Sequence, residues 1–150
     1  MTPLAPAEAL RRCPTFEMLS SAELLALGEL CRPVSFEAGQ VIFEEGAPGA
    51  SLFVLAEGEV DVLHGAEGQP KVIARLSAPA AFGEMALVDR EARSATVRAR
   101  TACGGLELTA EGFTAFRKRS RDGFTFVVIN IARVLSARLR ETSRRLADHL

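Results

Sequence analysis

The sequence predicts a mainly β domain with helices at both ends. From Val34 to about Leu108, short apolar runs alternate with glycine-containing turns, whereas the flanking segments repeat apolar residues at helical spacing. Strands that recur with turn signals between them are typical of a sandwich or barrel. One helix-like turn, at residues 82–93, interrupts the strand pattern, and an all-β scaffold places its binding sites at such interruptions.

The length of the chain suits one domain. One hundred and fifty residues bury most of their apolar surface in a single core. We predict a single domain over residues 1–150, with a helix and the strands at about 16–116 and C-terminal helices at about 117–150. No apolar run is long enough for a bilayer and no secretory signal opens the chain, which favours a cytoplasmic location without membrane contact. The three cysteines are odd in number and widely spaced, which indicates reduced thiols.

The N-terminal helix begins at a capping-box signature. Ser20 is the expected N-cap and Glu23 stands three residues later, where its side chain can reach back. An amphipathic helix follows and ends near Pro33. Its apolar residues are Leu24, Leu25, Leu27 and Leu30, and Phe16 and Leu19 pack ahead of it.

Strands are predicted wherever apolar residues run together or alternate with polar ones. A half-buried strand is predicted where apolar and polar residues alternate, with Ala95, Val97 and Ala99 as the apolar positions. The other predicted strands contain Gln40 to Phe43, Leu52 to Leu55, Val60 with Val62, and Val72 to Leu76.

The segment FGEMALVDREARSATV, from Phe82 to Val97, combines groups that can bind a phosphate and a sugar. Gly83 permits close backbone approach, and the turn Met85 to Val88 offers free N–H groups to an anion. Arg93 supplies a planar cation for phosphate oxygens, and Glu84 can accept hydrogen bonds from hydroxyls. The alternative interpretation is a surface ion pair between Glu84 and Arg93, which contributes little energy.

The C-terminal segment predicts a long helix with one apolar stripe and a basic remainder. The helix packs on its own β domain or pairs with a second copy, and the spacing does not decide between these. The stripe consists of Ile131, Leu135, Leu139, Thr142, Leu146 and Leu150.

Charge is divided unevenly along the chain, although the net charge is −1. Residues 1–116 hold nine Lys and Arg against sixteen Asp and Glu, and residues 117–150 hold nine against three. A basic segment can bind nucleic acid. Because no second recognition motif follows it, we favour a solvated helix face or a helix lying on the acidic remainder of the fold.

These motifs resemble the cyclic nucleotide-binding domain family, which includes catabolite-activator-type regulators, regulatory subunits of cyclic-AMP-dependent kinase and cyclic-nucleotide-gated channels. The resemblance covers the chain from about Phe16 onward. It includes a leading helix (LSSAELLALGEL), a glycine-bearing stretch (FEAGQVIFEEG), a hairpin (LFVLAEGEVDVL) and a phosphate-binding cassette (FGEMALVDREARSAT). It implies a double-stranded, jelly-roll-like β-roll with an N-terminal helix, a short cassette helix and C-terminal helices.

The resemblance also implies the ligand roles. Glu84 takes the ribose 2′-hydroxyl, Gly83 allows close approach and Arg93 pairs with the cyclic phosphate. Backbone N–H groups around Ala86 and Ser94–Ala95 complete the site, and the Ser94 hydroxyl adds a hydrogen bond. The predicted ligand-binding residues are Gly83, Glu84, Met85, Ala86, Arg93, Ser94 and Ala95.

Two features depart from the family pattern. The loop Arg90-Glu91-Ala92-Arg93 replaces a frequent Gly-x-Pro-Arg, and Arg90 adds a second cation. Ser94 follows the cassette arginine, where threonine occurs in some cyclic-GMP-preferring members and alanine or serine in cyclic-AMP-preferring ones. Ser94 therefore does not fix the base.

The predicted function is a non-catalytic cyclic nucleotide sensor, with cyclic AMP favoured over cyclic GMP, in which the C-terminal helix closes over the ligand. The alternative is a ligand-free structural or dimerisation domain of the same fold. With His64 and His149 as its only histidines, the chain shows no acid–base set for an enzyme and no metal or haem site. We expect no cofactor. The expected partner is a second copy through residues 131–150 or a separate effector protein, without direct DNA binding, since no helix-turn-helix pattern follows the long helix.

Overall fold

Two four-stranded antiparallel sheets face each other in a computed structural model that describes residues 4–65, 68–89 and 91–149. The first sheet has the order β1-β8-β3-β6 and the second β2-β7-β4-β5. This architecture confirms the predicted β-roll. The strands are β1 (Arg32–Phe36), β2 (Val41–Phe43), β3 (Ser51–Glu57), β4 (Glu59–His64), β5 (Lys71–Ser77), β6 (Ala80–Phe82), β7 (Thr96–Ala99) and β8 (Cys103–Thr109).

Helices precede, interrupt and follow the strands. The helices are α1 (Pro6–Arg11), α2 (Ser21–Glu29), α3 (Met85–Val88), α4 (Ala110–Arg119) and α5 (Arg121–Asp148), and a 3₁₀ turn covers Pro14–Phe16. The helix-like turn predicted inside residues 82–93 is therefore α3. In the described part of the chain, no helix combines the length and the apolar character needed to cross a membrane.

Strand β3 contributes to two hydrophobic clusters, which explains its uninterrupted apolar sequence. Leu52 and Val54 point to the side covered by α1, α2, α4 and α5. Phe53 and Leu55 point between the two sheets. Because successive side chains of a strand alternate between its faces, a strand buried on both faces needs apolar residues throughout.

The capping box of α2 forms as predicted. The Ser20 side chain accepts from the Glu23 N–H, and the Glu23 carboxylate accepts from the Ser20 N–H at 2.9 Å. The helix ends at Glu29, earlier than the prediction near Pro33. Leu25 is exposed, so it does not belong to the buried face of this helix.

The helical C-terminal region begins at Ala110, earlier than the predicted boundary near residue 117. The Thr109 side chain caps α4, and the Ser120 side chain caps α5 by accepting from the Gly123 N–H at 3.0 Å. The Ser120 hydroxyl also donates to Glu23, which joins the start of α5 to α2.

Helix α5 is anchored in its first half and exposed in its second. The buried Asn130 amide donates to the carbonyls of Thr15 at 3.1 Å and Glu17 at 2.7 Å. Ile131 is 2% exposed, whereas Leu139 is 68% and Leu146 63% exposed. The predicted stripe therefore divides between the core and the surface; its last member, Leu150, lies outside the described residues.

Candidate functional site

A cavity of about 220 Å³ lies between the interior of the β-roll and α5. The structure brings every predicted ligand-binding residue to its lining: Gly83, Glu84, Met85, Ala86, Arg93, Ser94 and Ala95. Their roles toward a ligand remain predictions. The sequence did not identify the apolar wall or the contribution of α5. Those further lining residues include Phe43, Val62, Leu76, Phe82, Val97, Leu135 and Arg138.

The backbone of Arg93 is held by the turn between β2 and β3. Its N–H donates to the Ala47 carbonyl at 2.9 Å, and its carbonyl accepts from the Gly46 N–H at 2.8 Å. Strand β7 begins at Thr96, so Arg93 lies in the loop before it. A turn distant in sequence therefore determines where this arginine leaves the backbone.

The Arg93 guanidinium is buried, with 9% of the residue exposed. Its Nη2 donates to the Ser51 carbonyl at 2.9 Å and its Nη1 to the Gly83 carbonyl at 3.3 Å. The Cζ atom lies 4.0 Å from the Phe43 ring centroid, a cation–π arrangement. Among the described residues, the buried Nε has no hydrogen-bond partner. Neutral carbonyls and a ring hold the cation, and its Nε donor remains without a partner among the described residues.

Burial lowers the pKa of the Arg93 guanidinium, and the negative charge of Glu107 opposes that shift. Glu107 itself accepts from the Ser51 hydroxyl at 2.7 Å and pairs with Arg32. A desolvated cation is costly unless an anion compensates it. The surroundings of Arg93 therefore favour an incoming anionic group.

The Arg93 side chain fits in its position because two neighbouring residues, Gly49 and Gly83, have no side chain. A Cβ atom at Gly49 would lie 2.4 Å from Arg93 Nε, and one at Gly83 would lie 2.7 Å from Nη1. Gly83 also has φ +79°, a left-handed conformation that glycine adopts most readily. Gly83 therefore lies close to the arginine, and the close approach of a ligand to Gly83 stays a prediction.

Glu84 is the second buried charge of the cavity, with 4% of the residue exposed. It precedes α3, and Arg138 of α5 donates Nη1 to its Oε1. Arg138 Nη2 also donates to the Ala81 carbonyl at 3.1 Å. The interpretation of Glu84 and Arg93 as a surface ion pair is therefore wrong, because both are buried and Glu84 pairs with a different arginine.

The sequence contained one signal for Arg138 that the prediction did not use. Ile131, Leu135 and Arg138 are spaced by four and three residues, which places them on one face of a helix. An arginine on the face that carries this isoleucine can extend toward the domain and pair with a carboxylate there. Which partner it finds depends on tertiary structure, since Glu84 is distant in sequence.

The backbone donors of the cassette differ in availability. The Ala86 N–H already donates to the Gly83 carbonyl at 3.2 Å. Within the ranges that the structure describes, the N–H groups of Ser94 and Ala95 donate to no backbone carbonyl. Met85 lies at the rim and is 45% exposed, and the second cation predicted at Arg90 falls outside the described residues.

The cavity can hold a ligand with three kinds of group. Arg93 and the free N–H groups suit an anion, and Glu84 suits hydroxyl donors. Phe43, Val62 and Leu76 offer an apolar surface to a flat group. The exposed carboxylates of Asp89 and Glu91 also line the cavity, and solvent screens their repulsion of an anion.

The known family that matches this chain is the cyclic nucleotide-binding domain, over residues 33–120. That match covers more than half of the chain. The chain therefore belongs to the cyclic nucleotide-binding domain family, and the resemblance found in its sequence is confirmed.

Individual relatives place the same domain in proteins of several kinds. The catabolite activator protein of Thermus thermophilus is 32% identical, with a TM-score of 0.77 over 89% of this chain and 62% of that chain. A cAMP-dependent protein kinase regulatory subunit from Mycosarcoma maydis is 29% identical over 86% of this chain and 23% of its own length. Glutaminase 1 of Bradyrhizobium diazoefficiens is 35% identical over 84% of this chain and 20% of its own length. The chain thus spans about a fifth to a quarter of these two curated relatives.

Proposed function

We propose that this protein is a non-catalytic sensor module whose cavity binds a cyclic nucleotide and whose α5 changes position in response. The observation that carries the proposal is the environment of Arg93. A buried guanidinium that has neutral partners and a free Nε is suited to the single negative charge of a cyclic phosphate. Membership of the cyclic nucleotide-binding family supports the same ligand class.

The remaining groups of the ligand are assigned by chemistry. The ribose 2′-hydroxyl donates to Glu84, and the N–H groups of Ser94 and Ala95 donate to phosphate oxygens. The base lies against the apolar wall that contains Val62 and Leu76, on the side where Leu135 of α5 lines the cavity. This arrangement connects the ligand directly to α5.

We propose cyclic AMP rather than cyclic GMP as the ligand. The name of the Mycosarcoma maydis subunit, a cAMP-dependent kinase component, supports this choice. Ser94 is compatible with both nucleotides and does not contribute to the choice. We expect no catalytic role, and the regulatory relatives support this, although one relative is named a glutaminase.

Calorimetric titration with cyclic AMP, cyclic GMP and linear AMP tests the ligand. We expect saturable binding of cyclic AMP, weaker binding of cyclic GMP and the weakest binding of linear AMP, because the dianionic phosphate of linear AMP costs more to desolvate and one buried guanidinium compensates only one of its charges. Arg98→Ala on β7 is the matched control, since Arg98 is a partly exposed arginine that pairs with Asp61 outside the cavity. Failure of both cyclic nucleotides to bind would contradict the proposal.

The exposed second half of α5 supports a second copy as partner. Leu139 and Leu146 are exposed on a helix that otherwise carries many charges there. They are spaced by seven residues, which places them on the same side of a helix pair. We propose that they form the contact between two copies, and sedimentation over a concentration range measures it.

A further inference from the structure

Arg138 occupies the carboxylate that the proposed function assigns to the sugar. The Glu84 side chain is 5% exposed and the Arg138 side chain 43% exposed. The guanidinium therefore reaches from the surface of α5 into the cavity. Its bond with Glu84 uses Oε1, one of the two carboxylate oxygens that could accept from a ribose hydroxyl, and the guanidinium occupies space beside that carboxylate.

The same side chain attaches the second half of α5 to the β-roll. Within the described residues after Leu135, Arg138 is the one α5 side chain that hydrogen-bonds to the rest of the domain, through Glu84 and the Ala81 carbonyl. The other bonds of this segment are internal, such as Thr142 to the Arg138 carbonyl and Arg145 to Glu141. Loss of the Arg138 contact would therefore release this half of the helix.

The cavity is small while Arg138 is in place. Its volume of about 220 Å³ is below the roughly 300–1,000 Å³ of most ligand pockets. Leu135 and Arg138 are the α5 residues of its lining. Movement of α5 away from Glu84 would enlarge the cavity and free the carboxylate at the same time.

We propose that Arg138 is an internal competitor for the sugar-binding carboxylate. Glu84 binds either the Arg138 guanidinium or the ribose hydroxyl, and nucleotide binding displaces Arg138 and with it the second half of α5. The inference rests on the proposed function and adds the residue that links ligand to helix. The apparent dissociation constant then equals the intrinsic one divided by the fraction of molecules in which Arg138 has left Glu84.

Removal of Arg138 tests the competition by the direction in which the affinity for cyclic AMP changes. Titrations with cyclic AMP compare the wild type, Arg138→Ala, Arg138→Gln and the control Arg140→Ala, an exposed arginine two positions further along α5. We expect both Arg138 variants to bind about two- to fivefold more tightly, the range of a partly exposed ion pair, and Arg140→Ala to match the wild type. Equal or weaker binding by the Arg138 variants overturns the proposal, because a residue that assists the ligand would give that result.

Hydrogen exchange without nucleotide provides an independent test. Amides of residues 136–148 should exchange faster in both Arg138 variants than in the wild type and Arg140→Ala. Unchanged exchange would show that the contact does not hold α5 and would overturn the competition, while leaving nucleotide binding intact. Absence of binding in the wild type and in every variant would instead remove the proposed function, and the competition with it.

Discussion

The two buried charges of the cavity are supported by different parts of the molecule. Arg93 is held within the β-roll, by the carbonyls of Ser51 and Gly83 and by the Phe43 ring. Glu84 is held by Arg138, which belongs to α5. The cationic end of the cavity, where we propose that the phosphate binds, is therefore fixed by the β-roll, whereas the carboxylate end, proposed for the sugar, depends on a contact from α5.

This difference suggests that one end of the cavity determines how tightly a ligand binds and the other determines how α5 responds. A ligand can shift a conformation only by binding one arrangement better than the other. The contacts of Arg93 lie within the roll, so we propose that a bound phosphate contributes mainly to affinity. Glu84 contacts α5 through Arg138, so we propose that a bound sugar contributes mainly to the change in the position of α5.

The largest expected effect on binding is that of Arg93→Ala. The variant should lose about 2–5 kcal/mol of cyclic AMP binding, because a desolvated phosphate is left without its charged partner. Calorimetric titration measures the loss against wild type and Arg98→Ala. An unchanged affinity would place the phosphate elsewhere.

The same position should matter little for folding. Arg93→Met keeps the length of the side chain and removes a buried cation whose protein partners are neutral. We expect its melting temperature to equal or exceed that of the wild type. A marked fall would mean that the Arg93 bonds stabilise the roll itself, and the two ends of the site would then differ less than proposed.

Glu84→Ala should have a smaller effect, about 1.5–3 kcal/mol of binding, the value of a hydrogen bond to a charged group. The loss is reduced because the variant also removes the competition with Arg138. Titration of Glu111→Ala, an exposed carboxylate on α4, controls for net charge. If Glu84→Ala lost more cyclic AMP binding energy than Arg93→Ala, the carboxylate and not the arginine would contribute most to affinity.

The smallest effect on affinity is expected at Leu139. Leu139→Asp should leave cyclic AMP binding nearly unchanged, because Leu139 is exposed and lies outside the cavity lining. It should abolish self-association in sedimentation experiments, whereas charge reversal at Arg144 and Arg145 should not change nucleotide affinity. A wild type that sediments as a monomer at high concentration, with and without nucleotide, would exclude the pair of copies.

Local signals in the sequence were sufficient for much of the fold. Ser20 and Glu23 are three residues apart and cap α2 without help from the rest of the chain. The alternation at Val97 and Ala99 identified a strand with one buried face, and both residues are buried. Helix α1 was not predicted, because its N-cap, Ala5, provides no side-chain cap. Strand β6 was not predicted either, since Ala80-Ala81-Phe82 shows no alternation and contains no β-branched residue.

The site was predictable where one short segment carries it. Every cassette residue named from the sequence lines the cavity, because α3 and the loop before β7 are close in the chain. The pairing of Glu84 with Arg138 was not predictable, because it joins residues 54 positions apart. The spacing of nearby residues suggested Arg93 as the partner of Glu84, and tertiary packing separated them.

Gly49 has a consequence for how the affinity of this site could be tuned. It does not line the cavity, yet it lies directly behind the Arg93 guanidinium. A single methyl group added there would overlap the Arg93 side chain at Nε, Cζ and Cδ and would displace it, without altering any charged residue. The turn between β2 and β3 therefore helps to set the position of the Arg93 guanidinium, and we expect a substitution at residue 49 to change the affinity for an anion without altering the cavity lining.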